Sequence, residues 1–176
     1  MSNVIKPIVL VGPMGCGKST VGLALAKALA YSFDDLDKSI ESNLSMSISD
    51  MFFIYGESYF RDKETFFLNE SLKKSHTIIA TGGGIIGREI NCKAIKDNST
   101  CIYLYASVQT QYQRTLNDSK RPLLNTQDRY EKLSSLFKVR HSLYKSVCNC
   151  CVDTDDKDID SIVSMCLECC IKNASH

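Results

Sequence analysis

The sequence predicts an α/β fold in which helices cover both faces of a parallel sheet. Short apolar runs typical of buried strands alternate along the chain with segments whose apolar residues recur at helical spacing. The first apolar run, residues 7–11, ends at a glycine-rich loop that a helical segment follows directly. The chain has 176 residues and no internal repeat or linker-like stretch, so we expect a single domain over residues 1–176.

Strands and helices are expected in alternating order. The strands are predicted at residues 7–11, 32–35, 77–80, 101–105 and 147–152. The helices are predicted at residues 18–30, 47–55, 57–74, 88–96, 107–116, 128–146 and 159–171. Gly56 separates the second of these helices from the third. Two segments depart from a minimal strand–helix series: an insertion over residues 37–74 and a polar loop over residues 117–127.

Composition and charge are those of an ordinary globular domain. Apolar residues make up 44% and charged residues 23%, and the formal net charge is +1. No long basic run is present, so we expect neither a nucleic-acid-binding surface nor a membrane-binding one. The first residues lack the apolar stretch of a signal peptide, and no later stretch is long enough to span a membrane. These features favour a cytoplasmic protein.

The cysteine content is high, with nine residues, and the number is odd. Six of them fall late in the chain, at Cys148, Cys150, Cys151, Cys166, Cys169 and Cys170. A disulfide framework is typical of small secreted chains, so we expect these thiols to be reduced and to pack as small apolar side chains. A zinc site and redox sensing are the alternatives. The one CxxC pair, Cys166 and Cys169, falls in a helical segment, and we expect no metal there.

Residues 12–19, named the phosphate loop below, match the pattern GxxxxGK[ST]. Glycine lets bare backbone wrap closely around a polyphosphate, and the following helix adds its positive N-terminal end. Lys18 is expected to reach the β- and γ-phosphate oxygens, and the Ser19 hydroxyl to bind Mg²⁺. The pattern predicts a nucleoside triphosphate but does not separate a kinase from a hydrolytic switch. The predicted nucleotide-binding residues here are Gly12, Gly15, Cys16, Gly17, Lys18, Ser19 and Thr20.

Asp35 and Asp37 follow the second predicted strand, at the edge of a parallel sheet where ligands bind. Phosphoryl transfer needs a carboxylate near Mg²⁺ and another beside the hydroxyl acceptor. Two acids two residues apart can divide these tasks. An acidic turn in which Asp37 caps a helix is the alternative interpretation. Asp34 would point the other way on a strand and is not assigned to the site.

The third predicted strand ends in Thr81 followed by three glycines, which leave room for a ligand to approach the backbone. A flexible turn is the alternative. Four arginines, Arg61, Arg114, Arg121 and Arg140, can be placed around the same rim, although each alone is more often a surface or salt-bridge residue. Arg140 is informative because it lies on an otherwise apolar helical stripe, where a cation needs an anionic partner.

Six motifs in this order resemble the shikimate kinase family, over residues 8 to about 163. They are the phosphate loop, Asp35-x-Asp37, Gly56-Glu57-x-x-Phe60-Arg61, Thr81-Gly82-Gly83-Gly84, Arg121-Pro122-Leu123-Leu124 and Arg140-x-x-x-Tyr144. The resemblance implies a five-stranded parallel sheet flanked by helices, the three-layer sandwich of P-loop kinases. It also implies an acceptor-binding subdomain over about residues 37–74 and a lid over about residues 114–127.

The activity that this resemblance implies is the ATP-dependent phosphorylation of the 3-hydroxyl of shikimate, on the route to chorismate and the aromatic amino acids. Lys18, Asp37 and Arg121 would be the catalytic residues. Ser19 and Asp35 would hold Mg²⁺, the implied cofactor, with Asp35 acting through water. ATP would be bound by the phosphate loop together with two arginines, Arg114 against the adenine and Arg121 at the transferring phosphoryl group.

The acceptor side follows from the same resemblance. Asp37 would hold shikimate hydroxyls and act as the base, and Arg61 and Arg140 would bind the carboxylate. The implied substrate-binding set is Asp37, Arg61, Gly82, Gly83, Gly84 and Arg140. The walls around the ring would be Ile48, Phe52 and Phe60. The expected partners are therefore ATP and shikimate, and the protein is expected to act as a monomer.

Other classes of function are weighed against this one. A related kinase, for gluconate or for a nucleoside monophosphate, would share the phosphate loop but not Asp37, Arg61 and Arg140 as a set. A nucleotide-binding regulator without catalysis would tolerate loss of Arg121 or Lys18, and both are present. The main departure from the family pattern is Cys16, where serine or alanine is more usual.

Overall fold

The computed structural model describes residues 6–116 and 128–174, and its centre is a sheet of five strands. The strands are β1 Ile8–Val11, β2 Ser32–Asp35, β3 Thr77–Ala80, β4 Thr100–Tyr105 and β5 Cys150–Asp153. Their order in the sheet is β2-β3-β1-β4-β5, and every neighbouring pair is parallel. The predicted α/β class with five parallel strands is confirmed.

Helices connect these strands and cover the sheet. They are α1 Lys18–Leu29, α2 Leu36–Leu44, α3 Ile48–Leu72, α4 Glu89–Asn98, α5 Val108–Thr115, α6 Arg129–Val147 and α7 Ile159–Ala174. A 3₁₀ turn over Ile85–Gly87 precedes α4. Within residues 6–116 and 128–174, none of the helices combines the length and the apolar character that a membrane crossing requires.

Both faces of the sheet are buried, which gives the molecule three layers. On one face, Leu10 and Ile102 pack in an apolar cluster with residues of α1 and α7. On the other face, Val9 and Tyr103 pack with residues of α3, α4 and α6. Successive strand residues face opposite sides, so a sheet covered on both faces requires the continuous apolar runs that predict these strands.

Helix α2 is not predicted by the sequence pattern, and it changes the interpretation of the acidic motif. Its buried residues are Leu36 and Ile40, too few among its polar residues to give a strong helical period. Asp35, the last residue of β2, is the N-cap of α2, and its carboxylate accepts a 3.4 Å hydrogen bond from the Lys38 backbone N–H. The capping role considered for Asp37 therefore belongs to Asp35, and Asp37 lies in the first helical turn.

The predicted break at Gly56 is confirmed as a kink inside α3. Gly56 has φ 83° and ψ 169°, a positive-φ conformation that glycine adopts without a steric penalty. The kink lets both halves of α3 pack on α2, because Met51 from the first half and Phe60 from the second join Ile40 in one buried cluster.

The expectation that all the cysteines are reduced is wrong. Cys150 of β5 and Cys169 of α7 form a disulfide. Strand β5 is at the edge of the sheet and α7 packs beside it, which brings the two Cα atoms to 6.2 Å, within the range that a disulfide requires. Cys16, Cys101 and Cys166 are buried, as expected of small apolar side chains. In the part of the chain that the structure describes, no three His, Cys, Asp or Glu residues form a group that could hold a metal ion.

Candidate active site

The phosphate loop lies at the carboxyl end of β1, between that strand and α1. Gly15 and Gly17 have φ angles of 78° and 90°, in the left-handed region that favours glycine. Gly17 is the N-cap residue of α1. The Lys18 ammonium donates hydrogen bonds to the carbonyl oxygens of Gly12 and Pro13, each at 2.8 Å. Bare backbone at a helix N-terminus, with a lysine beside it, is suited to binding phosphate groups.

Ser19 and Asp35 meet beside the phosphate loop. The Ser19 hydroxyl donates a 2.7 Å hydrogen bond to Oδ2 of Asp35. The pair therefore offers a hydroxyl oxygen and a carboxylate oxygen side by side, and Mg²⁺ prefers oxygen ligands of this kind. These two residues fit a magnesium ion bound next to a triphosphate.

One cleft of about 300 Å³, named the active-site cleft below, joins the phosphate loop to the acidic motif and to the glycines after β3. Its lining residues are Gly15, Gly17, Lys18, Ser19, Thr20, Asp35, Asp37, Thr81, Gly82, Gly83 and Arg114. The phosphate loop, the acidic motif and the glycines lie at the ends of β1, β2 and β3. They meet because the carboxyl ends of parallel strands lie at one edge of a sheet.

Residues 81–84, the glycine segment, are held by β1 on one side and by α6 on the other. Thr81 donates from its backbone N–H and its hydroxyl to the Leu10 carbonyl oxygen, at 3.2 and 2.9 Å. The Gly83 carbonyl oxygen accepts a 3.2 Å hydrogen bond from Nη1 of Arg140 and another from the Tyr144 hydroxyl. Helix α6 thereby fixes the backbone of a residue that lines the cleft.

Arg61 of α3 lies against the same segment. A Cβ atom at Gly84 would stand 2.5 Å from the guanidinium nitrogens of Arg61, so a larger residue there would displace this side chain. Arg61 binds two acids of its own helix, Glu64 through Nη1 at 2.8 Å and Glu57 through Nη2 at 2.9 Å. Burial opposes the charge on Arg61, but the attraction of these acids outweighs it and raises the pKa of the guanidinium.

Glu64 is a residue of the site that sequence reasoning missed. It is fully buried, and its Oε1 has no hydrogen-bond partner among the described residues. A Cβ atom at Gly82 would lie 2.7 Å from Oε1 of Glu64 and 3.0 Å from Oδ1 of Asp37, so both carboxyl groups approach the same glycine. Burial raises the pKa of Glu64, Arg61 opposes this rise, and the Asp37 charge adds to it. The only local sign of Glu64 is its position three residues after Arg61.

The remaining arginines differ in what the structure describes. Arg114 lines the cleft and donates to the Gly15 carbonyl oxygen at 3.2 Å and to the Thr154 carbonyl oxygen at 2.7 Å. It therefore ties the phosphate loop to the segment that follows β5. Arg121, its Arg-Pro-Leu-Leu motif and the lid residues 117–127 lie outside the described residues.

The three residues expected around the ring lie together in the insertion. Ile48, Phe52 and Phe60 belong to one apolar cluster, and the Phe52 and Phe60 ring centroids are 5.1 Å apart. The guanidinium carbon of Arg61 lies 5.2 Å from the Phe60 ring centroid. The insertion therefore holds an apolar cluster, in which Phe60 is buried, beside the cation of Arg61.

Some predicted site residues do not line the cleft. Gly12 and Cys16 belong to the phosphate loop but do not line the cleft. Cys16 is buried, and its Sγ lies 3.6 Å from Nζ of Lys18. Three more do not line the cleft. They are Gly84, Arg61, which lies against Gly84, and Arg140, which donates to the Gly83 carbonyl oxygen.

A family model described as shikimate kinase matches residues 14–171. The chain belongs to the shikimate kinase family. The reaction of this family is the ATP-dependent phosphorylation of shikimate in aromatic biosynthesis, and the chain is accordingly a phosphoryl-transferring enzyme. The family expected from the six motifs is confirmed.

Similar proteins support the shikimate kinase assignment. A shikimate kinase of Hahella chejuensis is 40% identical over 158 residues, which cover 90% of this chain and 82% of the relative. A solved shikimate kinase of Acinetobacter baumannii, in complex with shikimate, has a TM-score of 0.93 at 37% identity and covers 96% of this chain and 94% of that one. A gluconokinase of Sinorhizobium meliloti has a TM-score of 0.62 at 17% identity, covers 98% of this chain and 95% of that one, and is therefore similar in fold alone.

Proposed function

We propose that this member of the shikimate kinase family transfers the γ-phosphoryl group of ATP to the 3-hydroxyl of shikimate, giving shikimate 3-phosphate and ADP. One observation carries the proposal. The phosphate loop, the two aspartates of the acidic motif and the glycine segment line a single cleft, with Arg61 and Arg140 against those glycines. This set suits a hydroxylated carboxylic acid, because aspartate accepts hydrogen bonds from hydroxyls and arginine binds carboxylates.

ATP is proposed to bind with its phosphates on the backbone N–H groups of the phosphate loop. Lys18 would exchange the carbonyl oxygens of its own loop for the β- and γ-phosphate oxygens. Ser19 and Asp35 would hold Mg²⁺. The metal, when bound, neutralises charge on the β- and γ-phosphates. Arg114 would lie against the adenine.

Shikimate is proposed to bind between the glycine segment and the insertion. Arg61 and Arg140 would bind its carboxylate, and Gly83 would add a backbone contact. Asp37 would accept the hydrogen bond of the 3-hydroxyl and act as the base. In the transfer, the 3-oxygen forms a bond to the γ-phosphorus while the bond from that phosphorus to the β,γ-bridging oxygen breaks. The proton of the hydroxyl passes to Asp37, and ADP leaves with the bridging oxygen.

Three further parts of the proposal rest on the sequence alone. Arg121 is proposed to contact the transferring phosphoryl group, and it lies outside the described residues. A monomeric state and a cytoplasmic location are likewise predictions.

The release of ADP from ATP and Mg²⁺, with shikimate, gluconate or AMP offered separately, tests the proposed function. We expect turnover with shikimate and none above the no-acceptor rate with the other two. Asp37→Asn should lower kcat by roughly 10²–10⁴, the usual contribution of a positioned base. Asp62→Asn is the matched control, because Asp62 pairs with Arg88 on the surface. Equal turnover with gluconate or AMP, or a wild-type kcat in Asp37→Asn, would contradict the proposal.

A further inference from the structure

Asp34 is a buried carboxylate that the proposed reaction does not use. Only 8% of it is exposed. Its oxygens accept three hydrogen bonds, from Oγ of Ser39 and Oγ of Ser71, each at 2.6 Å, and from Nζ of Lys74 at 2.8 Å. Burial opposes the charge, but these donors outweigh it and lower the pKa of Asp34. The carboxylate is therefore kept ionised at neutral pH.

These three donors stand at the two ends of the insertion, residues 37–74. Ser39 lies near the start of α2, Ser71 lies near the end of α3, and Lys74 follows that helix. The chain between them carries Arg61 and Glu64, which lie against the glycine segment. One carboxylate on β2 therefore ties the beginning and the end of the insertion together and to the sheet.

The same carboxylate fixes the first turn of α2. Asp34 and Asp35 are the last two residues of β2, so their side chains point to opposite sides. Asp35 binds the Lys38 backbone N–H, and Asp34 binds the Ser39 hydroxyl, the next residue along. Asp37 lies in the turn that these two contacts hold. Asp34 therefore contacts the turn that carries Asp37 into the active-site cleft.

We propose that Asp34 is a positioning residue for phosphoryl transfer, which clamps both ends of the insertion so that Asp37 and Arg61 face the glycine segment. The chemical consequence rests on the proposed function, whereas the clamp itself does not. Reacting atoms must be held about 3–3.5 Å apart, so a small displacement of α2 affects the transfer. The phosphate loop joins β1 to α1 and lies outside the insertion, so we expect ATP binding to be affected less than shikimate binding.

Steady-state kinetics of Asp34→Asn, which keeps the size of the side chain and removes its charge, tests this role. We expect kcat/KM for shikimate to fall by about 10- to 100-fold, the loss that a small misplacement causes, with a smaller change in the KM for ATP. Ser39→Ala, which removes one donor, should give a smaller loss in the same direction. If Asp34→Asn does not fold, Ser39→Ala carries the test.

The control must separate positioning from a general loss of stability. Ile162→Val trims a buried residue of α7, in the cluster that packs on the other face of the sheet from α3. It should lower the thermal midpoint while kcat/KM for shikimate stays at the wild-type value. The clamp is overturned by wild-type kcat/KM in folded Asp34→Asn and Ser39→Ala, or by equal increases in the KM for shikimate and for ATP.

Amide hydrogen exchange separates this inference from the proposed function, because it requires no substrate. We expect faster exchange over residues 36–74 in Asp34→Asn and unchanged exchange in α7. A wild-type enzyme that fails to phosphorylate shikimate, with exchange altered as expected, would refute the proposed function and leave the clamp supported. Unchanged exchange over residues 36–74 would refute the clamp whichever acceptor the enzyme uses.

Discussion

Arg140 uses one guanidinium group to hold the protein backbone beside the site where an anion is expected. Its Nη1 and the Tyr144 hydroxyl both donate to the Gly83 carbonyl oxygen. A guanidinium carries five N–H donors in a planar fork, so one bond to Gly83 leaves capacity for a carboxylate. The Gly83 carbonyl oxygen supplies one polar partner for a cation on an otherwise apolar stripe.

Replacement of Arg140 by alanine is expected to weaken shikimate binding by about 2–5 kcal/mol, because the carboxylate would lose a charged partner in a partly buried site. ATP binding should be largely retained, since Tyr144 still holds Gly83. The KM values for the two substrates check this. Arg88→Ala, which breaks a surface pair with Asp62, serves as the control. An unchanged shikimate KM would remove Arg140 from the site.

The role of a single residue can be predicted from sequence where its charge would be unfavourable among its local neighbours. Arg140 stands out because apolar residues surround it on its helical stripe. Glu64 does not, because an arginine and a glutamate three residues apart are common on exposed helix surfaces. Its burial depends on the close approach of Gly82, which belongs to another part of the chain. No local pattern carries that information.

Among the secondary-structure elements, β5 is supported in a way that the sequence did not indicate. The strand has four residues and pairs with β4 at the edge of the sheet. Cys150 links it covalently to Cys169 of α7. A crosslink of this kind stabilises a fold mainly by restricting the unfolded chain.

Cys169→Ser is expected to lower the free energy of unfolding by about 3 kcal/mol under oxidising conditions, because the two cysteines are 19 residues apart and loop closure costs about this much. Urea unfolding with and without a thiol reductant measures the effect. Under reducing conditions the variant and the wild type should have similar midpoints. Cys151→Ser, at an exposed thiol on the same strand, is the control. The prediction would be contradicted if the urea midpoint of the wild type were the same with and without the reductant.

The elements were predictable where burial on both sides produces an apolar run, as in β1 and β3. The predicted start of the last strand is wrong, because Val147 is the final residue of α6 and β5 begins at Cys150. A short apolar run does not tell a strand from the end of a buried helix. Helix α2 is not predicted because it has too few apolar residues. Only Leu36 and Ile40 of its residues are buried.

For the molecule as a whole, lowering the pH changes the free energy of unfolding through carboxyl groups whose pKa differs between the folded and unfolded chain. The pKa of Asp34 is lowered by folding from 3.8, so its contribution to stability is present above that value and is lost as the pH falls through the folded pKa. Glu64 acts in the opposite direction. Its pKa is raised from 4.5, so its protonation stabilises the fold as the pH falls through the raised value towards 4.5.

Asp34→Asn is therefore expected to be less stable than the wild type at neutral pH and to show a shallower loss of stability below about pH 4. The free energy of unfolding in urea, measured from about pH 7 to about pH 3, checks this. Asp97→Asn changes an exposed carboxylate of α4 and should keep the wild-type acid profile. The same acid profile in Asp34→Asn would show that this buried carboxylate does not contribute to the loss.

The meeting of distant segments at one edge of the sheet is the part of the whole arrangement that the sequence predicts, because parallel strands end together. Asp35, Asp37 and the glycine segment line one cleft for this reason. The positions of Arg61 and Arg140 against the glycine segment are harder to foresee. They depend on how α3 and α6 pack on the face of the sheet, and this packing involves residues from separate parts of the chain.

The ammonium of Lys18 has two oxygen partners within its own loop, on Gly12 and Pro13. An incoming triphosphate competes with those oxygens, so the affinity it gains is a difference between two sets of contacts. Truncating this lysine would remove two hydrogen bonds within the phosphate loop of the free enzyme. It would also remove the cation that contacts the bound nucleotide. The deficit of such a variant would combine a less ordered backbone with a missing positive charge, and it would overstate the attraction between lysine and phosphate.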